Sequence, residues 1–123
     1  MKVYEAIAQI DSLRPNTVDE KTKRFWLTRV DQYVFKEIVS QRAGAEGKTF
    51  TPYGDGDGER ELLVPAPYDE LYLFYLEGMI YYATRELDKM SSSMALYNQA
   101  MNDYKNRYFS EHGQLPLPPT KYW

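Results

Sequence analysis

Between residues 73 and 108 the chain holds one apolar rhythm without losing phase. Leu73, Leu76, Ile80, Ala83, Leu87, Met90, Met94, Tyr97, Met101, Tyr104 and Tyr108 follow one another at alternating steps of three and four residues. An average step of about 3.5 marks a helix with a continuous apolar seam. After Gly78 neither glycine nor proline interrupts it. The seam predicts a very long C-terminal helix over 67–111, about 44 residues or ~65 Å at about 1.5 Å per residue. The alternative is a helical hairpin that breaks at Ser91-Ser92-Ser93, where a serine can cap a new helix. A rod of either kind holds an assembly together more readily than it builds a pocket. Its cleanest stretch makes Met94, Tyr97, Met101, Tyr104 and Tyr108 candidate interface residues.

The rest of the chain reads as mainly α. Val3, Ala6, Ile7, Ile10 and Leu13 fall on one face of a short N-terminal helix, which Pro15 ends. Thr17 with Glu20 forms a capping box for a long second helix over 18–42. Phe25, Trp26, Leu27, Val30, Tyr33, Val34, Phe35, Ile38 and Val39 cover more than one stripe of that helix, so it needs partners on two sides. Gly44 and Gly47 mark its end. In 48–64, Thr49-Phe50-Thr51 and Leu62-Leu63-Val64 flank a run of Asp-Gly pairs, the signature of a small β-hairpin or an irregular flap. Pro65-Ala66-Pro67 punctuates the chain before the long helix, with Pro67 suited to its first turn and Asp69 and Glu70 to its positive end. The organisation is one helical domain over 1–113, with the hairpin or flap at 48–64, and an extended Pro-rich arm over 114–123.

Composition removes several function classes. The 15 basic and 18 acidic residues leave a net charge of −3, with neither a basic footprint for nucleic acid nor a polybasic membrane anchor. There is no cysteine, so disulfides and thiolate zinc sites are excluded. No run approaches the ~20 apolar residues that span a bilayer, and Met1-Lys2-Val3-Tyr4-Glu5 starts no secretory signal. Tyrosine stands out with 12 copies. It combines broad contact area with a polar tip, which suits half-wet protein interfaces.

No constellation discloses a reaction. Asp55, Asp57 and Glu59 alternate in a glycine-rich loop as cation ligands do, but a calcium loop would need Gly at Arg60 and Glu at Ala66. A solvated turn explains them without an ion. His112 is the single histidine and stands where the last helix stops, as a helix-end residue would. Without cysteine it cannot complete the usual zinc sets, and no nucleophile motif is present. No cofactor is expected. Leu117, Tyr122 and Trp123 lie in the arm and join the interface candidates, because they would be wasted in water.

The segments Leu62-Leu63-Val64-Pro65-Ala66-Pro67-Tyr68-Asp69-Glu70-Leu71-Tyr72, Tyr75-Leu76-Glu77 and Ser93-Met94-Ala95-Leu96-Tyr97-Asn98 resemble small proteins of prophage structural clusters in Gram-positive bacteria. Proteins of this size and helical make-up there resemble head–tail connectors or adaptors. The resemblance implies a non-catalytic protein that forms homo-oligomers and contacts portal or tail proteins. It implies the bacterial cytoplasm during assembly and the virion afterwards. It carries over no functional residues. Two other classes stay open: a non-virion helical interaction module or small regulator, and a metal-dependent enzyme using Asp55, Asp57 and Glu59.

Overall fold

A computed structural model of the chain describes residues 1–114. The arm candidates Leu117, Tyr122 and Trp123 lie outside the described residues. Within them the chain is mainly helical, with α1 at Val3–Leu13, α2 at Glu20–Glu37, α3 at Glu70–Ala83 and α4 at Leu87–Glu111. One apolar core joins all four, with Ile10, Leu27, Val34, Leu76, Ile80 and Met101 among its members.

The very long C-terminal helix is not observed. The seam is divided between α3 and the 25-residue α4, which fold back on each other as a helical hairpin. The break falls at Thr84, Arg85 and Glu86, seven residues before the three serines. Arg85 takes φ 64°, Glu86 N donates to Tyr81 O at 2.8 Å, and Arg85 N donates to Tyr82 O at 3.1 Å. This is the double-bonded helix stop that normally carries glycine at the left-handed position. Arginine there gives no sequence signal. The serines instead continue α4. Ser91 and Ser92 donate to backbone carbonyls four residues back, and buried Ser93 donates to Glu77 Oε1 across the hairpin at 2.7 Å.

The rhythm runs unbroken across the turn in sequence only: Ala83 and Leu87 are exposed there, and the seam residues of α4 meet Gly78, Tyr75 and Tyr68, which lie outside the seam. Gly78 on α3 lies against Met94 on α4, so closely that a Cβ there would stand 2.6 Å from the Met94 methyl. Tyr75 meets Tyr97 at 5.0 Å between ring centroids, and Tyr68 meets Tyr104 at 5.8 Å.

Two helix starts also differ from expectation. Asp19, not Thr17, caps α2 by accepting from Thr22 N at 2.7 Å. Pro67 precedes α3 in a separate turn, with Tyr68 N donating to Pro65 O. At its far end α2 stops at Ile38 and passes into a short 3-10 turn, Val39–Gln41, before Gly44 and Gly47 at positive φ.

Residues 48–64 form no β-hairpin. Their backbone partners lie elsewhere: Val3 N donates to Arg60 O, Tyr4 N to Gly58 O, and Leu62 N to Met1 O. The N-terminal residues therefore take the place that an opposing strand would fill. Further anchoring comes from side chains. Arg60 donates to Thr51 O and Pro52 O and lies over the Tyr53 ring at 4.5 Å. The segment is an irregular flap sealed against α1 and α2.

Beneath it sits Asp31 of α2, with 0% of its surface exposed. Its carboxylate accepts from Tyr53 Oη at 2.5 Å, Tyr72 Oη at 2.6 Å and Leu63 N at 3.0 Å. Tyr72 Oη in turn accepts from Val64 N at 2.8 Å. One acid thus ties α2, the flap and α3 together. Its oxygens have three donors, as a buried polar group requires.

Candidate interaction face

The second apolar stripe of α2 has no covering element. Trp26, Leu27, Val30, Asp31 and Val34 turn inward, whereas Phe25, Arg29 and Tyr33, spaced four apart, stay exposed. Such spacing stacks side chains along one face of a helix. Phe25 is 56% and Tyr33 43% exposed, and the Arg29 guanidinium lies 5.9 Å from the Phe25 ring. Beside the stripe, α3 contributes Tyr75, Met79 and Tyr82, and α4 contributes Met90, Tyr97, Asn98, Met101 and Asn102.

Two adjoining hollows score this face. The larger, about 520 Å³, is walled by Arg29, Tyr33, Tyr75, Tyr97, Asn98 and Asn102, with Val30 and Met101 at its floor. The smaller, about 350 Å³, shares Arg29 and Tyr75 and continues past Phe25, Met79 and Tyr82 to Met90. Burial pushes the Tyr75 and Tyr97 hydroxyls above their usual range, so both remain neutral donors at ordinary pH. The face is aromatic, broad and polar-tipped, the composition that protein contacts favour.

The interface candidates divide. Tyr97 and Met101 line the larger hollow. Met101 and Tyr104 are each 5% exposed, so they serve the chain's own core first. Met94 is taken up by Gly78. Tyr104 and Tyr108 border a separate hollow of about 490 Å³ between 63–68 and the end of α4. There His112 stacks on Tyr108 at 3.8 Å between rings. Burial pushes the Tyr104 hydroxyl up to about 12.

The loop carboxylates do not converge. Asp55 pairs with Arg24 at 3.0 Å, and Glu59 pairs with Lys2 at 2.9 Å. Asp57 accepts from Gly54 N at 2.6 Å, and that bond together with nearby Arg60 holds its carboxyl below the usual range. Among the described residues no three His, Cys, Asp or Glu side chains could hold a metal ion together. No described helix is long and apolar enough to cross a membrane.

The chain matches no protein family, curated protein or solved structure. Its functional residues must therefore be read from its own surface.

Phe25, Arg29, Tyr33 and Tyr82 are the face residues that sequence reasoning passed over. The signal was present in α2, whose apolar residues exceed the faces that α1, α3 and the flap cover. Asp31 was missed as well. An acid between Val30 and Val34, four residues after Leu27, stands on the buried face and demands hydrogen-bond donors.

Proposed function

We propose that this chain is a non-catalytic assembly protein that works through the aromatic face of α2, α3 and α4. Within that class we propose a phage head–tail connector or adaptor that forms homo-oligomers and bridges portal and tail proteins in the virion. The observation that carries the assembly reading is the exposed Phe25–Arg29–Tyr33 stripe beside Tyr75 and Tyr82. Large aromatic side chains left in water on two adjacent helices, Phe25 and Tyr33 on α2 and Tyr82 on α3, are what an unfilled contact would present. The resemblance of 62–72, 75–77 and 93–98 to prophage structural proteins supplies the narrower setting.

The test is particle mass over a range of concentrations, with and without a candidate portal protein. The expected result is concentration-dependent association, with Phe25→Ser plus Tyr82→Ser weakening it about tenfold or more. Both rings are about half exposed, so the melting temperature should stay near that of the parent. A closed multimer that joins the portal supports the connector. A two-chain particle indifferent to portal favours a small dimeric regulator. A monomer under all conditions, with or without the portal, removes the assembly reading.

A further inference from the structure

We propose that the hollow between α2 and the flap binds a small aromatic oxyanion, a carboxylate or a phosphate ester, which displaces Asp55 from Arg24. The hollow encloses about 490 Å³, within the size range of small-molecule sites. Its walls include Lys21, Arg24, Phe25, Thr28 and Gln32 from one face of α2, and Asp55 from the flap. It borders the aromatic face at Phe25 but does not depend on the assembly reading.

Arg24 is the buried charge of this wall, only 9% exposed. Its guanidinium pairs with Glu20 at 3.1 Å and with Asp55 at 3.0 Å, both of them carboxylates that stand in water. Asp55 lies between Gly54 and Gly56, its side chain 99% exposed, and reaches Arg24 through one oxygen. A guanidinium fork matches the paired oxygens of a single carboxylate or phosphate, so one contact to each of two acids leaves part of it unused. An exposed carboxylate on a glycine-flanked turn is also a weak partner, because water screens it and holding it costs entropy. Asp55 occupies the anion seat on α2 without filling it.

Other donors line the same hollow without acceptors. Thr28 is buried, and its hydroxyl accepts from Tyr53 N at 3.1 Å but donates to nothing among the described residues. Lys21 and Gln32 make no hydrogen bond or ion pair among the described residues. Lys21 and Arg24 outweigh Asp55 in charge, so the lining selects an anion, and more strongly once Asp55 has swung away. Hydroxyl, amide, ammonium and guanidinium are all donors here, which suits a ligand end made of acceptor oxygens. The ring of the ligand follows from Phe25, whose exposed face offers a stacking surface next to those donors.

The experiment is calorimetric titration of the full chain at low salt with phenyl phosphate, benzoate, inorganic phosphate and benzyl alcohol. At least one of the two aromatic anions should saturate the chain with a Kd of ~1 mM or below, and the tighter of them names the source of the oxyanion. Inorganic phosphate, which has no ring, and benzyl alcohol, which has no charge, should each bind at least about tenfold more weakly. Asp55→Asn should tighten binding of the aromatic anion about threefold or more, because the seat is then open in more of the population. Lys21→Gln should weaken it about threefold, and Arg24→Lys should abolish it. Lys21 and Asp55 are exposed, so those two variants decide the matter even if Arg24→Lys fails to fold. An ion pair that serves the fold alone predicts no tightening in Asp55→Asn, and that result overturns the proposal. So does the absence of saturation by either aromatic anion up to ~10 mM, or inorganic phosphate binding as tightly as phenyl phosphate.

Discussion

Asp31 is the residue that joins α2, the flap and α3 at one buried point. Removing its side chain leaves Tyr53 Oη, Tyr72 Oη and Leu63 N without their acceptor in a buried site. Asp31→Ala should therefore cost ~2–4 kcal/mol of stability in urea unfolding. Burial also raises the Asp31 carboxyl above its ordinary value of 3.8, against the opposing pull of its three hydrogen bonds. Between the ordinary and the raised value the folded chain keeps a proton that the unfolded chain has released. The group's contribution is thus fully present below about pH 4 and is lost as pH rises through the raised value. The stability of the parent relative to Asp31→Asn, which cannot titrate, should fall across that window. Unfolding curves for both chains at a series of pH values check this, and a constant difference would show that the carboxylate is held at its ordinary strength.

The α3–α4 hairpin is governed by two backbone positions. Arg85 sits at φ 64°, where an L side chain is strained and glycine is not. Arg85→Gly should raise stability by ~0.5–1 kcal/mol, the relief of left-handed strain less the entropy that glycine adds to the unfolded chain. Gly78→Leu should lower it by ~2–3 kcal/mol, because the new Cβ would meet the Met94 methyl at 2.6 Å and its sulfur at 3.2 Å. Thermal melts of the two variants should move in opposite directions. These positions also show where the sequence was readable. Period with the stop at Pro15 located α1 to the residue, although Leu13 is exposed, since burial of one face is written directly into spacing. It could not locate the helix break, because Arg85 carries no turn signal and the apolar spacing continues in sequence through Ala83 and Leu87, both exposed at the turn. The Asp-Gly pairs correctly marked turns in 54–60, yet the flap's bonding partners are Met1, Val3, Tyr4 and Asp31, which lie far off in sequence. The aromatic face was half legible. Tyr97 and Met101 came from the seam, whereas Phe25 and Tyr33 needed knowledge of which side of α2 the core would cover.

For the whole molecule, the core and the proposed contact surface share the same helices. On that proposal a change at Met101 should act on both, while changes at Phe25 or Tyr82 should act on contact alone. Met101→Asp should therefore cost several kcal/mol, on the order of 3–5, by placing an unpaired charge beside the core, and should reduce association as a secondary effect. Comparing denaturant midpoints with particle mass for Met101→Asp and Tyr82→Ser would separate the two roles. The spacing of the contacts along the chain also sets an order in time. The α3–α4 hairpin closes across Thr84, Arg85 and Glu86, whereas Asp31 joins partners 22, 32 and 41 residues away. Closing the longer loops carries the greater entropic cost and comes after local helix pairing. Gly78→Leu should then slow refolding. Asp31→Ala should leave the refolding rate near that of the parent and quicken unfolding instead, and stopped-flow measurements in both directions would show it. Asp31 acts in this scheme as a late-closing latch: it does little to guide the chain home and much to set how long the folded state lasts.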